Sequence, residues 1–293
     1  MHQNTPFFSG LLTLMFTAFL TSSSWAEKTY IGDKFCRICH ADQAEWFLSG
    51  VHADTTISSG LDKGQMGCET CHGPGSEHVE QPLSYNIITF QTESPLILSG
   101  RCLSCHATDH PVINFRRSDH HVKKVSCSSC HSIGGSKSFH QMRTVEDVMD
   151  RNQTDLCYGC HLQVRTDFAL PFHHPVSEGF MQCSSCHDQH GGFTLRQLRT
   201  RHNEAVCTKC HEHLHGPFIF GHPPGAADSC QTCHNPHGST NTKMLNRPVL
   251  RFLCLECHSN TPSFHDLTQT LFQNCTVCHS RIHGSNLSRF LFE

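Results

Sequence analysis

Cys36-Arg37-Ile38-Cys39-His40 and Cys68-Glu69-Thr70-Cys71-His72 open the series that decides how this 293-residue chain folds. The same C-x-x-C-H spacing returns at Cys102/Cys105/His106, Cys127/Cys130/His131, Cys157/Cys160/His161 and Cys183/Cys186/His187. It closes with Cys207/Cys210/His211, Cys230/Cys233/His234, Cys254/Cys257/His258 and Cys275/Cys278/His279, using all 20 cysteines. Two thiols at this spacing can bond the two vinyl groups of one porphyrin. The His that follows then takes the iron from one face, the pattern of c-type haem attachment. Three other chemistries use paired cysteines: Cys₄ zinc sites, disulfides in an oxidising compartment, and thioredoxin-like motifs, which need a βαβ setting not seen here. None gives a reason for a His after every pair. With His at 27 of 293 positions, ten such coincidences have odds below about 10⁻¹⁰, and the series reads as ten covalent haems c.

Composition points the same way. Charged residues are 16% and the hydrophobic set, counting Cys, is 37%, below the usual averages of about 25% and 45–50%. The polypeptide is too apolar-poor for an ordinary core, yet a formal charge of -3 is not a disorder signature. Porphyrin rings would supply the missing apolar surface, and 20 Phe against 3 Tyr and 2 Trp suit packing on them. The near-neutral balance, 22 Lys+Arg against 25 Asp+Glu, argues against a nucleic-acid partner. The expected fold class is a multihaem cytochrome c. It consists mostly of irregular loops with short α-helices packed around ten covalently bound haems, elongated, with little or no β-sheet. Helices of one to two turns are expected at Ala41–Ser49, Val145–Arg151 and Val249–Ser259.

Residues 1–26 read as a secretory signal peptide. The apolar run Phe7–Leu20 precedes small residues Ser24 and Ala26 where a signal peptidase cleaves, although Met1–Thr5 lacks Lys and Arg. The run is short of the ~20 residues that span a bilayer, and no other segment is long and apolar enough to cross as a helix. Residues 27–293 form the decahaem cytochrome.

The motifs repeat in pairs. Odd-numbered motifs begin at Cys36, Cys102, Cys157, Cys207 and Cys254, and even-numbered ones at Cys68, Cys127, Cys183, Cys230 and Cys275. The chain is therefore five dihaem repeats. A haem with two protein ligands moves electrons, whereas an open sixth position can bind and transform a ligand. Each repeat carries one His before its second motif: His52, His121 (or His120), His174 (or His173), His222 and His265. Each also carries one after it: His78, His140, His190, His237 and His283. Two per repeat close all ten irons as bis-His sites. Spacing does not say which distal His serves which haem. His110, His202, His213 and His215 fall outside the pattern and read as surface or propionate contacts. Gly191, Gly238 and Gly284 follow three of the distal histidines and would let the backbone approach a flat ring.

The flanks are more specific than the motif. Gly50-Val51-His52, Cys71-His72-Gly73-Pro74, Ile88-Thr89-Phe90, Asp119-His120-His121, His174-Pro175, His234-Asn235-Pro236-His237-Gly238-Ser239 and His279-Ser280-Arg281-Ile282-His283-Gly284-Ser285-Asn286 carry a resemblance over nearly the whole mature chain. It is to the MtrA/DmsE-type decahaem cytochromes of outer-membrane porin–cytochrome conduits. That resemblance implies a periplasmic protein seated in an outer-membrane β-barrel porin. Its bis-His haems would pass electrons between periplasmic or inner-membrane cytochrome donors and an extracellular multihaem cytochrome, terminal reductase or metal. One departure is Gly134, where the family often has His three residues after the fourth motif, leaving His140 as the substitute. The expected role is electron transfer without a substrate site of the chain's own. A soluble periplasmic shuttle or store is the runner-up. A multihaem oxyanion reductase ranks lower, because all ten motifs end in His.

Overall fold

The computed structural model describes residues 27–48, 52, 67–83, 86–109, 112–131, 153–192, 194–222 and 230–292. Its local structure starts from the motif. Positions i, i+3 and i+4 of a helical turn share one face, so C-x-x-C-H on such a turn presents two thiols and an imidazole together. Motifs 2 and 3 lie wholly within helices, Cys68–His72 and Pro95–His106, and in the other eight the turn is closed by the His amide donating to the first Cys carbonyl. The bonds run from His40 to Cys36, His131 to Cys127, His161 to Cys157, His187 to Cys183, His211 to Cys207, His234 to Cys230, His258 to Cys254 and His279 to Cys275, at 2.9–3.0 Å.

The helices are short. Ala41–Leu48 forms as expected, and Leu250–Leu255 forms within the expected Val249–Ser259 but ends earlier. Val145–Arg151 lies outside the described residues. The expectation of one to two turns is exceeded by Pro95–His106, 12 residues long. Ser94 starts it in extended backbone, Pro95 occupies the first turn where no amide partner is needed, and Leu98, Ser99 and Leu103 form its buried face. Sheet is slight. Phe220–Gly221 pairs antiparallel with Gly284–Ser285, alongside isolated bridges such as His187–Leu198 and His234–Leu245. Among the described residues no helix is long and apolar enough to cross a membrane.

The polypeptide core is thin. Among the described residues nine hydrophobic residues are buried, the largest cluster being Tyr158, Phe168 and Val176, whereas 23 large hydrophobics are exposed. That ratio is the reverse of an ordinary domain of this size. It leaves apolar side chains uncovered by protein, as a fold organised around large apolar prosthetic groups would.

Paired motifs pack on one another. Asp33–Cys39 meets Cys68–His72, Pro95–His106 meets Cys127–Ser129, Gln153–Tyr158 meets Cys183–Cys186, and Leu250–Leu255 meets Cys275–Val277. Glu69 secures the first pair. Its carboxylate is 1% exposed. It accepts from the amides of Ile31 at 3.0 Å, Gly32 at 2.7 Å and Gly75 at 2.8 Å. Such charge-assisted bonds are the strong ones; they strap residues 31–32 across the second motif.

Glycine marks where repeats approach most closely. A Cβ on Gly238 would stand 2.0 Å from the Asp167 carbonyl oxygen, one on Gly191 2.6 Å from the Asn114 carbonyl oxygen, and one on Gly284 2.1 Å from the Phe218 ring. These glycines therefore admit a neighbouring stretch of chain. Gly238→Ala is expected to destabilise the holoprotein by about 1–3 kcal/mol, the usual range for overpacking. Denaturant unfolding followed at the Soret band checks this.

Candidate functional site

The cysteines form a continuous series of contacts. Within each repeat the thiols of the first cysteines of the two motifs hydrogen-bond: Cys36 with Cys68, Cys102 with Cys127, Cys157 with Cys183, Cys207 with Cys230, and Cys254 with Cys275. Between repeats the second cysteines come within electrostatic reach: Cys71 and Cys105, Cys130 and Cys160, Cys186 and Cys210, Cys233 and Cys257. Motifs 1 to 10 are thus neighbours in chain order. The second cysteines of the odd-numbered motifs, Cys39, Cys105, Cys160, Cys210 and Cys257, are exposed, and so is Cys278 of motif 10. Cys278 is an expected haem-attachment thiol, but its surroundings depart from those of its even-numbered counterparts Cys71, Cys130, Cys186 and Cys233, which are half-buried. The ten sites are therefore not equivalent in exposure.

Burial pushes the Cys68 thiol up to about 12, with the Asp33 carboxylate adding to it. Cys127 is drawn down to about 6 because the Cys102 thiol donates to it, and Cys183 to about 7 by Cys157 in the same way. None of the twenty is in a disulfide.

Nine of the motif histidines each face a second histidine. The pairs are His40–His78, His106–His52, His131–His190, His161–His120, His187–His237, His211–His174, His234–His283, His258–His222 and His279–His265. Ring centroids are 6.0–6.3 Å apart in all nine, while interplanar angles run from 6° to 83°. Rings in direct contact span about 4.5–7 Å, with separation following orientation. A fixed separation with free twist is what one ion between two imidazoles imposes. Two metal–nitrogen bonds of about 2.0 Å put the centroids about 6.3 Å apart and leave rotation about the common axis open. The thiol pairs and these imidazole pairs therefore fit haem c.

Burial, first, and then the facing motif histidine lower the pKa of His52, His190, His222, His237 and His283. The same cause, burial first, lowers His72. A neutral imidazole is the form that ligates. The other ring nitrogen is tied to the backbone. Nδ1 meets the carbonyl of Ile88 from His72, Arg196 from His187, Lys243 from His234 and Phe290 from His279, at 2.6–2.8 Å. A carbonyl only accepts, so Nδ1 carries the proton and Nε2 keeps its lone pair. Two of these carbonyls sit in strained turns, with Arg196 at φ 69° and Lys243 at φ 57°. Non-glycine residues hold that conformation only where their surroundings over-determine it.

The pairing crosses repeats. Motif 3 faces a His from the first repeat, motif 5 from the second, motif 7 from the third and motif 9 from the fourth. Motifs 4, 6 and 8 face the last His of the following repeat. Among the nine described pairs, motifs 1 and 10 face a His of their own repeat. At three of the four junctions the two contributed histidines are tied together. His120 Nδ1 meets the Gln189 carbonyl at 3.1 Å and His174 Nδ1 the Pro236 carbonyl at 2.7 Å. His222 hydrogen-bonds to the Ile282 backbone. Gln189, Pro236 and Ile282 each immediately precede the partner His190, His237 and His283.

Several sequence expectations are sharpened here. His120 faces His161; His121 does not, its ring lying against Phe115 at 5.4 Å. The reason is local. In the turn Asp119–Val122 adjacent side chains diverge, and Ser118 Oγ accepts from the His121 amide to set the turn's start. His174 and not His173 faces His211; His173 bonds Glu178 at 2.9 Å. His211 has a second ring neighbour, His213 at 6.3 Å, two residues further on; the repeat places His174 in the recurring position. His140 and His110 lie outside the described residues. The junction carbonyls were not foreseen, although the recurring Asp188-Gln189-His190-Gly191 and Asn235-Pro236-His237-Gly238 hold their signal.

Motif turns, chained thiols and facing imidazoles define a multihaem c-type cytochrome, an electron-transfer protein with covalently attached haem c. A family model for the doubled CXXCH motif matches residues 173–216 and 222–263, and one for NrfB-like cytochrome c-type proteins matches residues 68–160. The chain is 31% identical over 199 residues to the multiheme cytochrome MtrA of Shewanella baltica (strain OS185), covering 66% of this chain and 56% of that protein. It is 29% identical over 139 residues to the cytochrome c-type protein NrfB of Escherichia coli O6:H1, covering 46% and 68%. It is 24% identical over 216 residues to the C-type polyheme cytochrome OmcB of Geobacter sulfurreducens, covering 62% and 25%. The chain thus spans little more than half the length of the MtrA relative. It is similar to the MtrA-type multihaem cytochromes.

Proposed function

We propose that residues 27–293 carry ten bis-His haems c in one elongated row and conduct electrons across the outer membrane. The observation that carries this reading is the constant 6.0–6.3 Å between nine imidazole pairs of unrelated twist. Each motif's two cysteines would hold the porphyrin through thioethers, and each facing pair would take the two axial positions. The bound group supplies a one-electron Fe(III)/Fe(II) couple. The chain's own work is to hold ten of these in order, keep each Nδ1 protonated, and fill both axial positions. His72 and His140 complete the set by the exchange rule. Even-numbered motifs take the last His of the next repeat, which for motif 2 is His140.

The partner follows from the backbone. Irregular chain cannot face lipid, because its amides and carbonyls would be unsatisfied. A row crossing the ~25 Å apolar band of an outer membrane must therefore be sheathed, and a β-barrel porin is the sheath that fits. Periplasmic or inner-membrane cytochrome donors at one end and an extracellular cytochrome or reductase at the other complete the path. The protein is expected to reside in the periplasm, held at the outer membrane by that barrel. Purification from the outer membrane in mild detergent, followed by identification of what travels with the haem-stained band, tests this. A stoichiometric β-barrel protein is expected. A fully soluble haem protein recovered alone would replace the conduit with a diffusible shuttle.

A further inference from the structure

One motif histidine is held differently from the four whose Nδ1 bonds a backbone carbonyl. His106 Nδ1 lies 2.6 Å from Asp109 Oδ2, so its partner is a carboxylate. The Nδ1 partners of His72, His187, His234 and His279, and of the distal His120 and His174, are backbone carbonyls. Asp109 reaches His106 from three residues on, in a turn closed by the Asp109 amide on the His106 carbonyl at 3.3 Å. The opposite face of the site is taken by His52.

We infer that Asp109 is a positioning residue that tunes the third motif, so that this site holds its iron oxidised more strongly than it would with a backbone carbonyl in that place. The inference rests on His106 being an iron ligand. A carboxylate accepting the Nδ1 proton shifts negative charge onto the imidazole and makes Nε2 a stronger donor. Stronger donation stabilises Fe(III) over Fe(II) and lowers the reduction potential. A carbonyl, which bears no net charge, does this less. The couple remains a one-electron change, and the proton stays shared between Nδ1 and Oδ2. The side chains of His106 and Asp109 are about half exposed, 48% and 53%, so water screens part of the effect. The location gives the tuning a consequence. Cys105 neighbours Cys71, and Cys102 bonds Cys127, which puts motif 3 between motifs 2 and 4. A lowered potential there sets a step in the row just after the first repeat.

The same site carries its own spectroscopic label. The His52 and His106 planes cross at 83°, whereas the other eight described pairs lie between 6° and 61°. Low-spin ferric haems with crossed imidazole planes give a larger maximum g value than those with parallel planes, so EPR can follow this site among the nine described pairs.

The test is an EPR-monitored redox titration of the full-length holoprotein, its Asp109→Asn variant, and a Glu93→Gln control that removes one carboxylate bound only to its neighbour's amide. In Asp109→Asn the crossed-plane signal should titrate at a higher potential. The oxidised-to-reduced ratio at fixed potential should fall by up to about tenfold, equivalent to ~59 mV for one electron. Asp109→Glu, which keeps the charge, should restore the original midpoint. A midpoint that stays put, or moves no more than in Glu93→Gln, overturns the inference. Haem counting on each protein separates this from failure of the underlying reading. Ten haems with an unmoved midpoint removes the role of Asp109 alone. A wild-type protein with no haem on motif 3, or no crossed-plane low-spin signal, removes His106 as a ligand of that site.

Discussion

His237→Ala is expected to convert a protein that binds no carbon monoxide in its reduced state into one that binds one equivalent per chain, at the sixth motif. His237 lies three residues past the His of motif 8 in sequence, yet its ring faces His187 of motif 6 at 6.1 Å. Removing it leaves that iron five-coordinate, and a five-coordinate ferrous haem takes up the gas where a bis-His haem does not. CO difference spectra give the stoichiometry. A second substitution gives the location. Adding Cys183→Ala and Cys186→Ala to His237→Ala should abolish binding, whereas adding Cys230→Ala and Cys233→Ala should not. The reverse outcome would mean that the distal histidines serve the motif nearest in sequence and that the exchange between repeats is wrong. His202→Ala and His215→Ala, both at exposed positions outside the pairs, should leave the protein inert to CO.

A chain exported without haem attachment is expected not to fold at all. Nine buried hydrophobic residues cannot offset the entropy of ordering a domain of this length. The helices are mostly of four to eight residues, too short to persist without tertiary support. Metal-dependent small domains behave this way, with binding free energy serving as folding free energy. Exchange between repeats adds cooperativity. At each junction described, two histidines cross in opposite directions, so no repeat completes its own sites. Expression without cytochrome c maturation should give a product that is protease-sensitive along its whole length and lacks helical signal in far-ultraviolet circular dichroism. A protease-resistant haem-free core would show that the polypeptide holds more of the fold than its buried residues indicate.

Much of the site was legible in the sequence because its chemistry is local. C-x-x-C-H needs only one helical turn to bring two thiols and an imidazole to one face, and the i→i−4 bonds from His40, His161 and His279 close such turns. The dihaem repeat was legible for a related reason. Motif spacing alternates, and the paired turns pack on one another, as Cys36 on Cys68 and Cys254 on Cys275. The thin core followed from a composition that leaves little apolar surface to bury.

The pairing of ligands was not legible, because it depends on which parts of a looping chain return to one place. His237 and His187 are fifty residues apart by number. What joins them is a repeat junction where Gly238 lets its chain meet the Asp167 carbonyl and where Pro236 receives the Nδ1 proton of His174. The choice between His120 and His121 shows the same limit at the scale of a single residue. Both are histidines on one short turn. Only the direction set by Ser118 at its start and by the Gln189 carbonyl across the junction makes His120 the one that faces His161. The sequence supplied the candidate histidines and the face each motif presents. For nine of the motifs the folded chain decided which histidine faces which, because a meeting of distant residues is specified by the packing between them, not by their spacing.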